Sequence, residues 1–107
     1  HPKVLRASMG AVFRLPIWRE EKLPERLGKL TQMGILTMAA VPNASAKPVT
    51  SLHFDTGAVA VIGNEGNGLT KETMEACKVQ VTIPMKGRGE SLNASMAACI
   101  LMWEMLR

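Results

Sequence analysis

Apolar residues recur three or four positions apart in several stretches of the chain, the spacing that places them on one face of a helix. This pattern predicts helices over residues 1–13, 23–33 and 92–106, and a shorter helix that begins at Thr70. The first two helices each have a proline in the first turn, where proline fits well. Residues 15–18 also include a proline and are predicted to form an edge strand or a connector.

Three further runs are continuously apolar or alternate apolar with polar residues. They predict strands over residues 35–41, 58–62 and 78–83. Because strands and helices alternate, we expect an α/β fold with a mostly parallel sheet and flanking helices. Residues 43–50 are predicted to be a connection, with a cover over a binding site as the alternative. If the second and third strands are parallel and adjacent, the glycine-containing loops after them lie on one edge of the sheet.

The last predicted helix is apolar on nearly every face. Its apolar residues are Ala94, Met96, Ala97, Ala98, Cys99, Ile100, Leu101, Met102, Trp103, Met105 and Leu106. A helix that is apolar all round needs burial on all sides, and a small domain offers little core. We therefore expect a homodimer that pairs through this helix, in which Ala94, Ala97 and Ala98 permit close approach. Burial beneath the sheet of a single chain is the alternative.

Composition narrows the class of protein only modestly. The 107 residues make one domain or part of one, and the net charge of +4 suits RNA without requiring it. Cys77 and Cys99 are far apart and are predicted to be reduced, mostly buried thiols. His1 and His53 lack the spacing of metal ligands, so no metal site is expected. There is no apolar run of about 18 residues and no signal peptide, so we expect a cytoplasmic protein without a membrane span.

The two glycine-containing loops are the candidates for chemistry. The order Gly63-x-x-Gly66-x-Gly68 differs from the G-x-G-x-x-G of dinucleotide-binding loops, and no P-loop or catalytic triad is visible. A plain strand-to-helix turn is one reading of the first loop. The other reading is a slot between the two loops that suits a flat ligand such as an adenosine. Its apolar residues would be Ile62, Ile83, Met85 and Leu92, and its polar ones Asn64, Glu65, Ser91, Asn93 and Ser95.

The motifs around these loops resemble a known family. The stretches IGNEGNGL at 62–69, IPM at 83–85 and SLNASMA at 91–97 resemble the second and third motifs of the SpoU (TrmH-type) RNA 2′-O-ribose methyltransferases of the SPOUT superfamily. The stretch PKVLRASMGA at 2–11, followed by Leu-Pro at 15–16, resembles the middle region of that family. The resemblance therefore covers essentially the whole chain.

The resemblance implies an α/β fold with a C-terminal trefoil knot, and S-adenosylmethionine bound in a bent pose at a homodimer interface. It implies an RNA 2′-O-ribose methyltransferase that acts on rRNA or tRNA. Gly63, Ile83 and Leu92 would contact the cofactor, with Gly68 and Met85 beside them. Glu65, Ser91 and Asn93 match the functional polar positions, and helix capping is the structural reading of Ser91 and Asn93. Lys86 and Arg88 would meet RNA phosphates, or serve only as solubilising charge.

The family also has a first motif whose arginine is associated with activating the ribose hydroxyl. We find no match to that motif in this sequence, and Arg6 belongs to the later, middle region. Residues 1–107 are therefore interpreted as the C-terminal part of one SpoU methyltransferase domain, without the first motif or an N-terminal RNA-binding domain. A non-catalytic cofactor-binding, RNA-binding or dimerisation module with the same fold is the alternative function.

Overall fold

The computed structural model describes residues 1–43, 45–55, 57–64, 66–85 and 93–107. The strands are β1 (Leu36–Ala40), β2 (Lys47–Pro48), β3 (Ala58–Ile62) and β4 (Val79–Thr82). The helices are α1 (Pro2–Ala7), α2 (Leu23–Gln32), α3 (Lys71–Ala76) and α4 (Ala94–Leu106). All pairings in the four-stranded sheet are parallel, in the order β2-β4-β1-β3. The predicted α/β class with a mostly parallel sheet is confirmed.

Strand β1 lies at the centre of this sheet. Ala40 pairs with Ile62 of β3 on one side and with Val81 of β4 on the other. The condition that β3 and β4 be adjacent is therefore not met, because β1 separates them. Since all the strands are parallel, the loops after β1, β3 and β4 still leave the same edge of the sheet. The short edge strand β2 falls in the segment predicted to be a connection, and an edge position tolerates its proline.

The core lies between the sheet and α4. Met38, Val49, Val81 and Leu101 are fully or almost fully buried and form one cluster. Val49 belongs to a single 3₁₀ turn, Val49–Ser51, that follows β2. Because residues from β1, β4 and α4 meet in this cluster, packing fixes the first turns of α4 against the carboxyl edge of the sheet.

A polar network ties β1 to the helices on the other face of the sheet. Thr37 is fully buried, and its Oγ1 accepts a hydrogen bond from the backbone N–H of Lys78 at 2.8 Å. The hydroxyls of Thr31 and Thr37 are 2.6 Å apart, and Thr31 donates to the Leu27 carbonyl at 2.8 Å. If the Thr37 hydroxyl donates to the Thr31 hydroxyl, each hydroxyl proton takes part in one hydrogen bond and all these bonds can form together. The network therefore joins α2, β1 and the start of β4 without leaving a buried hydroxyl unpaired.

The prediction of one helix over residues 1–13 is wrong. Helix α1 ends at Ala7, and the chain then turns through Met9 at φ 52° and Gly10 at φ 87° before a 3₁₀ turn, Ala11–Phe13. Ser8 Oγ donates to the Leu5 carbonyl at 2.7 Å, a local bond that competes with continued helix. No residue of α1 is buried. The apolar residues have helical spacing, but none of the described residues packs closely enough on α1 to bury them and hold a longer helix.

Helix α4 begins at Ala94, two residues later than predicted, and Asn93 is its N-cap. Leu101 is buried and Met105 packs against the core, whereas the apolar residues Met96, Met102, Trp103 and Leu106 are exposed. Cys99 is also exposed and Cys77 is half-buried, so the prediction of mostly buried thiols is wrong for Cys99. The alternative of burial beneath the sheet of one chain therefore accounts for only one face of α4. With 13 residues, α4 is the longest of the described helices, and none of them is long and apolar enough to cross a membrane.

Candidate functional site

A cavity of about 760 Å³ opens at the carboxyl edge of the sheet. Its walls are the loops after β1, β3 and β4 together with the first two turns of α4. This is the edge at which open α/β sheets bind ligands, and the volume lies in the range of small-molecule sites. The two loops singled out in the sequence thus contribute to one cavity, although their strands are not neighbours.

The loop after β3 closes on itself. The backbone N–H of Gly68 donates to the Asn64 carbonyl at 3.0 Å, and the side chain of Asn64 accepts from the backbone N–H of Asn67 at 2.7 Å. Gly68 has φ +65°, a left-handed conformation that favours glycine. These bonds hold the stretch 64–68 as a compact turn against the cavity.

Gly63 is needed for a different reason. A Cβ at this position would overlap the carbonyl carbon of Gly68 and would lie 2.7 Å from the backbone nitrogen of Leu69. Both obstacles are backbone atoms, so a side chain cannot be accommodated by a rotamer change. Gly63 therefore lets the two ends of the turn pack on each other, which sets the shape of this cavity wall.

The first turns of α4 form the opposite wall. The side chain of Asn93 accepts a hydrogen bond from the backbone N–H of Met96 at 2.8 Å, which is the bond of an N-cap. Ala94 and Ala97 line the cavity with Leu101 behind them. The small residues that were predicted to permit close approach of a second chain thus also leave space for a ligand.

The loop after β1 is a third wall that sequence reasoning missed. Asn43 lines the cavity, its backbone carbonyl accepts from the backbone N–H of Ala46 at 3.0 Å, and its side chain accepts from the N–H of Ser45 at 3.0 Å. The segment was predicted to be a connection, with a site cover as the alternative. The available signal was an Asn-x-Ser turn directly after a buried strand, but only the central position of β1 brings it beside the other loops.

Half of the predicted site residues line this cavity: Gly63, Gly68, Ile83, Met85 and Asn93. The other half, Glu65, Lys86, Arg88, Ser91 and Leu92, lie outside the described residues. Of the other residues predicted for the slot, Asn64 and Ile62 also line the cavity, whereas Ser95 is exposed and does not line it, so its prediction is wrong. The structure therefore brings together, from the loops after β3 and β4, every predicted cofactor residue that it describes.

The described cavity lining is apolar and amide-rich. Its polar side chains come from asparagines, Gln80 and Thr82, and no described lining residue carries a charged side chain. These groups bind and orient a ligand through hydrogen bonds and van der Waals contact. In the part of the chain that the structure describes, no group of three His, Cys, Asp or Glu side chains could hold a metal ion.

Comparisons with known proteins agree with this architecture. The sequence profile of the SpoU rRNA methylase family matches residues 1–103. The chain is 34% identical over 106 residues to an uncharacterized tRNA/rRNA methyltransferase from Synechocystis sp., an alignment that covers 99% of this chain and 38% of that protein. This chain thus spans about two-fifths of the length of that relative.

Two solved structures share the fold. AviRb from Streptomyces viridochromogenes, a SpoU methyltransferase in complex with the cofactor AdoMet, aligns with a TM-score of 0.84 and 29% identity, over 98% of this chain and 41% of AviRb. A structure described as an RNA 2′-O ribose methyltransferase aligns with a TM-score of 0.78 and 35% identity, over 98% of this chain and 40% of that one. Since the family profile matches nearly the whole chain, this protein belongs to the SpoU rRNA methylase family.

Proposed function

We propose that this chain is the cofactor-binding part of an S-adenosylmethionine-dependent RNA 2′-O-ribose methyltransferase that acts on rRNA or tRNA. The cavity at the carboxyl edge of β1, β3 and β4 carries the proposal, because residues of two separate sequence motifs line it together. The AdoMet complex of AviRb and the 2′-O ribose activity named for the second structure support the cofactor and the reaction.

The residues of the cavity fit the proposed cofactor. Ile62, Leu69 and Ile83 offer apolar contact for the adenine ring, and the asparagine amides offer hydrogen bonds to its polar edges. The turn at 64–68 packs without side chains at Gly63 and Gly68, so backbone groups can approach the ligand closely. We propose that Gly63, Ile83 and Leu92 contact the cofactor largely through backbone groups, with Gly68 and Met85 beside them.

When bound, S-adenosylmethionine supplies an electrophilic methyl group on its sulfonium. During methyl transfer, this chain would hold the methyl donor and an RNA ribose in a reactive arrangement. Positioning of this kind can supply a large share of the rate enhancement. We propose that Asn93 and Ser91 orient the ribose or support the loop, and that Glu65 fixes the glycine turn. Asn93 has the capacity for both roles, since its Oδ1 caps α4 while its amide NH₂ group has no acceptor among the described residues.

A group that activates the ribose 2′-hydroxyl is also needed. We propose that it is the arginine of the family's first motif, a motif that this sequence does not match. On this proposal residues 1–107 form the C-terminal part of one methyltransferase domain, tied in the trefoil knot of the family. The coverage of about two-fifths of the aligned relatives is consistent with a partial domain. We further propose that Lys86 and Arg88 meet RNA phosphates and that the protein acts in the cytoplasm.

We also propose that two copies pair through α4. Met96, Met102, Trp103 and Leu106 are exposed on this helix, and Trp103 is 74% exposed. Pairing would bury these side chains and place the apolar helix between two chains. Sedimentation velocity tests the proposal: the wild type should sediment as a dimer and Trp103→Glu as a monomer. A wild type that stays monomeric at high concentration would refute this pairing.

Calorimetric titration with S-adenosylmethionine tests the cofactor site. We expect wild-type binding and at least about tenfold weaker binding by Gly63→Ala, because the added methyl group forces the turn at 64–68 open. Gly28→Ala is the matched control, since a Cβ there meets no atom within 4 Å and the residue lies in α2, away from the cavity. No binding by the wild type would overturn the proposed function.

The reaction itself is tested with the whole protein that contains this chain. Total tRNA and rRNA are incubated with the protein and methyl-labelled S-adenosylmethionine, and the RNA is then hydrolysed in alkali. A 2′-O-methyl group removes the hydroxyl that attacks the neighbouring phosphodiester, so the label should appear in alkali-stable dinucleotides. Label in mononucleotides would indicate base methylation and overturn the 2′-O assignment. Cofactor binding without labelled RNA would favour the non-catalytic module.

A further inference from the structure

All four asparagines of the chain line the same cavity. They are Asn43 in the loop after β1, Asn64 and Asn67 in the turn after β3, and Asn93 at the start of α4. Three separate elements therefore bring the same kind of side chain to one place. An amide offers two acceptor positions on its oxygen and two donor hydrogens on its nitrogen, so the way each amide is held decides what it presents to a ligand.

In three of these residues the oxygen is already used by the protein. Oδ1 of Asn43 accepts from the backbone N–H of Ser45 at 3.0 Å and from its hydroxyl at 2.9 Å. Oδ1 of Asn64 accepts from the backbone N–H of Asn67 at 2.7 Å. Oδ1 of Asn93 accepts from the backbone N–H of Met96 at 2.8 Å. Each bond identifies the oxygen end of the amide and directs it towards the local backbone.

The nitrogen ends of the same three amides have no hydrogen-bond acceptor within the described part of the chain. None of the described residues accepts from Nδ2 of Asn43, Asn64 or Asn93. The side-chain oxygens of these asparagines therefore already accept protein hydrogen bonds, and their NH₂ groups are the donors that they can offer to a ligand at the cavity rim. A ligand complements such a rim by bringing acceptors, such as a carboxylate or the ring nitrogens of a purine.

We propose that Asn43 is a specificity residue of this site, whose NH₂ group donates to an acceptor of the bound methyl donor. The inference rests on the proposed function and assigns a role to the loop after β1, which no sequence motif covers. Asn43 is the best placed of the set for this test because both acceptor positions of its Oδ1 are filled, by the N–H and the hydroxyl of Ser45. Among the described residues, its donor end has no acceptor.

The variant Asn43→Asp isolates that donor end. Aspartate has the same shape and keeps an oxygen for Ser45, so the turn is retained, but it replaces the NH₂ group by a second acceptor. We expect the affinity for S-adenosylhomocysteine, measured by calorimetry, to fall at least about tenfold while the melting temperature stays unchanged. Asn43→Ser removes the donor without adding a charge and should also weaken binding. Gln32→Glu is the control for added charge, since Gln32 is exposed and lies outside the cavity.

Methylthioadenosine, which lacks the amino-acid carboxylate, identifies the acceptor. If Asn43→Asp weakens only S-adenosylhomocysteine, the carboxylate is the partner of Asn43. If it weakens both ligands equally, the adenosine part is the partner. Wild-type affinity for both ligands in Asn43→Asp and Asn43→Ser would overturn this inference and leave the proposed function intact. Failure of the wild type to bind either ligand would overturn both.

Discussion

The carboxyl edge of the sheet and the N-terminal segment, residues 1–19, contain similar apolar side chains in opposite situations. At the sheet edge, Val81 and Leu101 are completely buried and build the floor of a cavity. In the N-terminal segment, Phe13 is 90% exposed and Trp18 is 82% exposed. Hydrophobic content therefore does not distinguish the two regions, whereas the number of elements that converge on each does.

The contrast between the sheet edge and residues 1–19 shows how the site is stabilised. Three parallel strands and α4 meet at the sheet edge, so each apolar side chain there is covered from several directions, and the loops above them are held by backbone hydrogen bonds. The N-terminal segment makes mostly local bonds, such as that from Ser8 to Leu5. Stability should accordingly be concentrated beneath the cavity.

The largest contrast is expected between two leucines. Leu101→Ala removes a fully buried side chain beneath the cavity and should lower the free energy of unfolding by about 2–5 kcal/mol. Leu15→Ala removes a side chain that is 67% exposed and should change it by no more than about 0.5 kcal/mol. Urea denaturation measures both. Equal losses would show that residues 1–19 are packed more firmly than this structure indicates.

The second contrast concerns two glycines. Gly63→Ala should lower the free energy of unfolding by about 1–3 kcal/mol, because the new methyl group meets backbone atoms of Gly68 and Leu69. Gly28→Ala should raise it by up to about 1 kcal/mol, since alanine is the better helix former in α2. Thermal unfolding followed by circular dichroism separates the two signs. A stabilised Gly63→Ala would disprove the close approach.

A smaller effect is expected from the buried polar network. Thr37→Val keeps the side-chain shape but removes the oxygen that accepts from the N–H of Lys78 and pairs with Thr31. We expect a loss of about 1–2 kcal/mol, because the part-buried hydrogen bonds of Thr37 are lost. Thr50→Val, at an exposed position in the turn after β2, is the matched control. If both variants unfold at the same urea concentration, the network contributes nothing to stability.

The smallest effect concerns pH. Burial raises the pKa of the Cys77 thiol above its ordinary value of 9.0, because the thiolate is less well solvated there. The unfolded chain therefore releases this proton at lower pH than the folded chain, and the free energy of unfolding declines as the pH rises above about 9. Cys77→Ala should show a shallower decline over the same range, measured by urea denaturation. Curves that remain parallel from pH 8 to pH 10 would contradict this assignment.

Much of the fold could be predicted from the sequence, because the positions of strands and helices depend on the local pattern of apolar and polar residues. The strand over 58–62 was predicted at its observed bounds, and the other two long strands were each predicted one residue too long at both ends. The glycine turn follows from residue type and spacing. Helix capping was predicted for both Ser91 and Asn93, and the structure identifies Asn93 as the N-cap. The helix over 1–13 failed for a physical reason, since apolar spacing forms a lasting helix only when a second surface covers it.

Local patterns in the sequence specify the alternation of strands and helices, the two motif-bearing loops and the family. Each of these features depends on residues that are close together in the chain, where steric and hydrogen-bonding preferences act directly. Only the tertiary structure decided that β1 separates β3 from β4, that Asn43 belongs to the site, and that Gly63 is required by its contact with the backbone at Gly68 and Leu69. These features depend on strand order and on close approach between distant segments, and no local pattern encodes which segments meet.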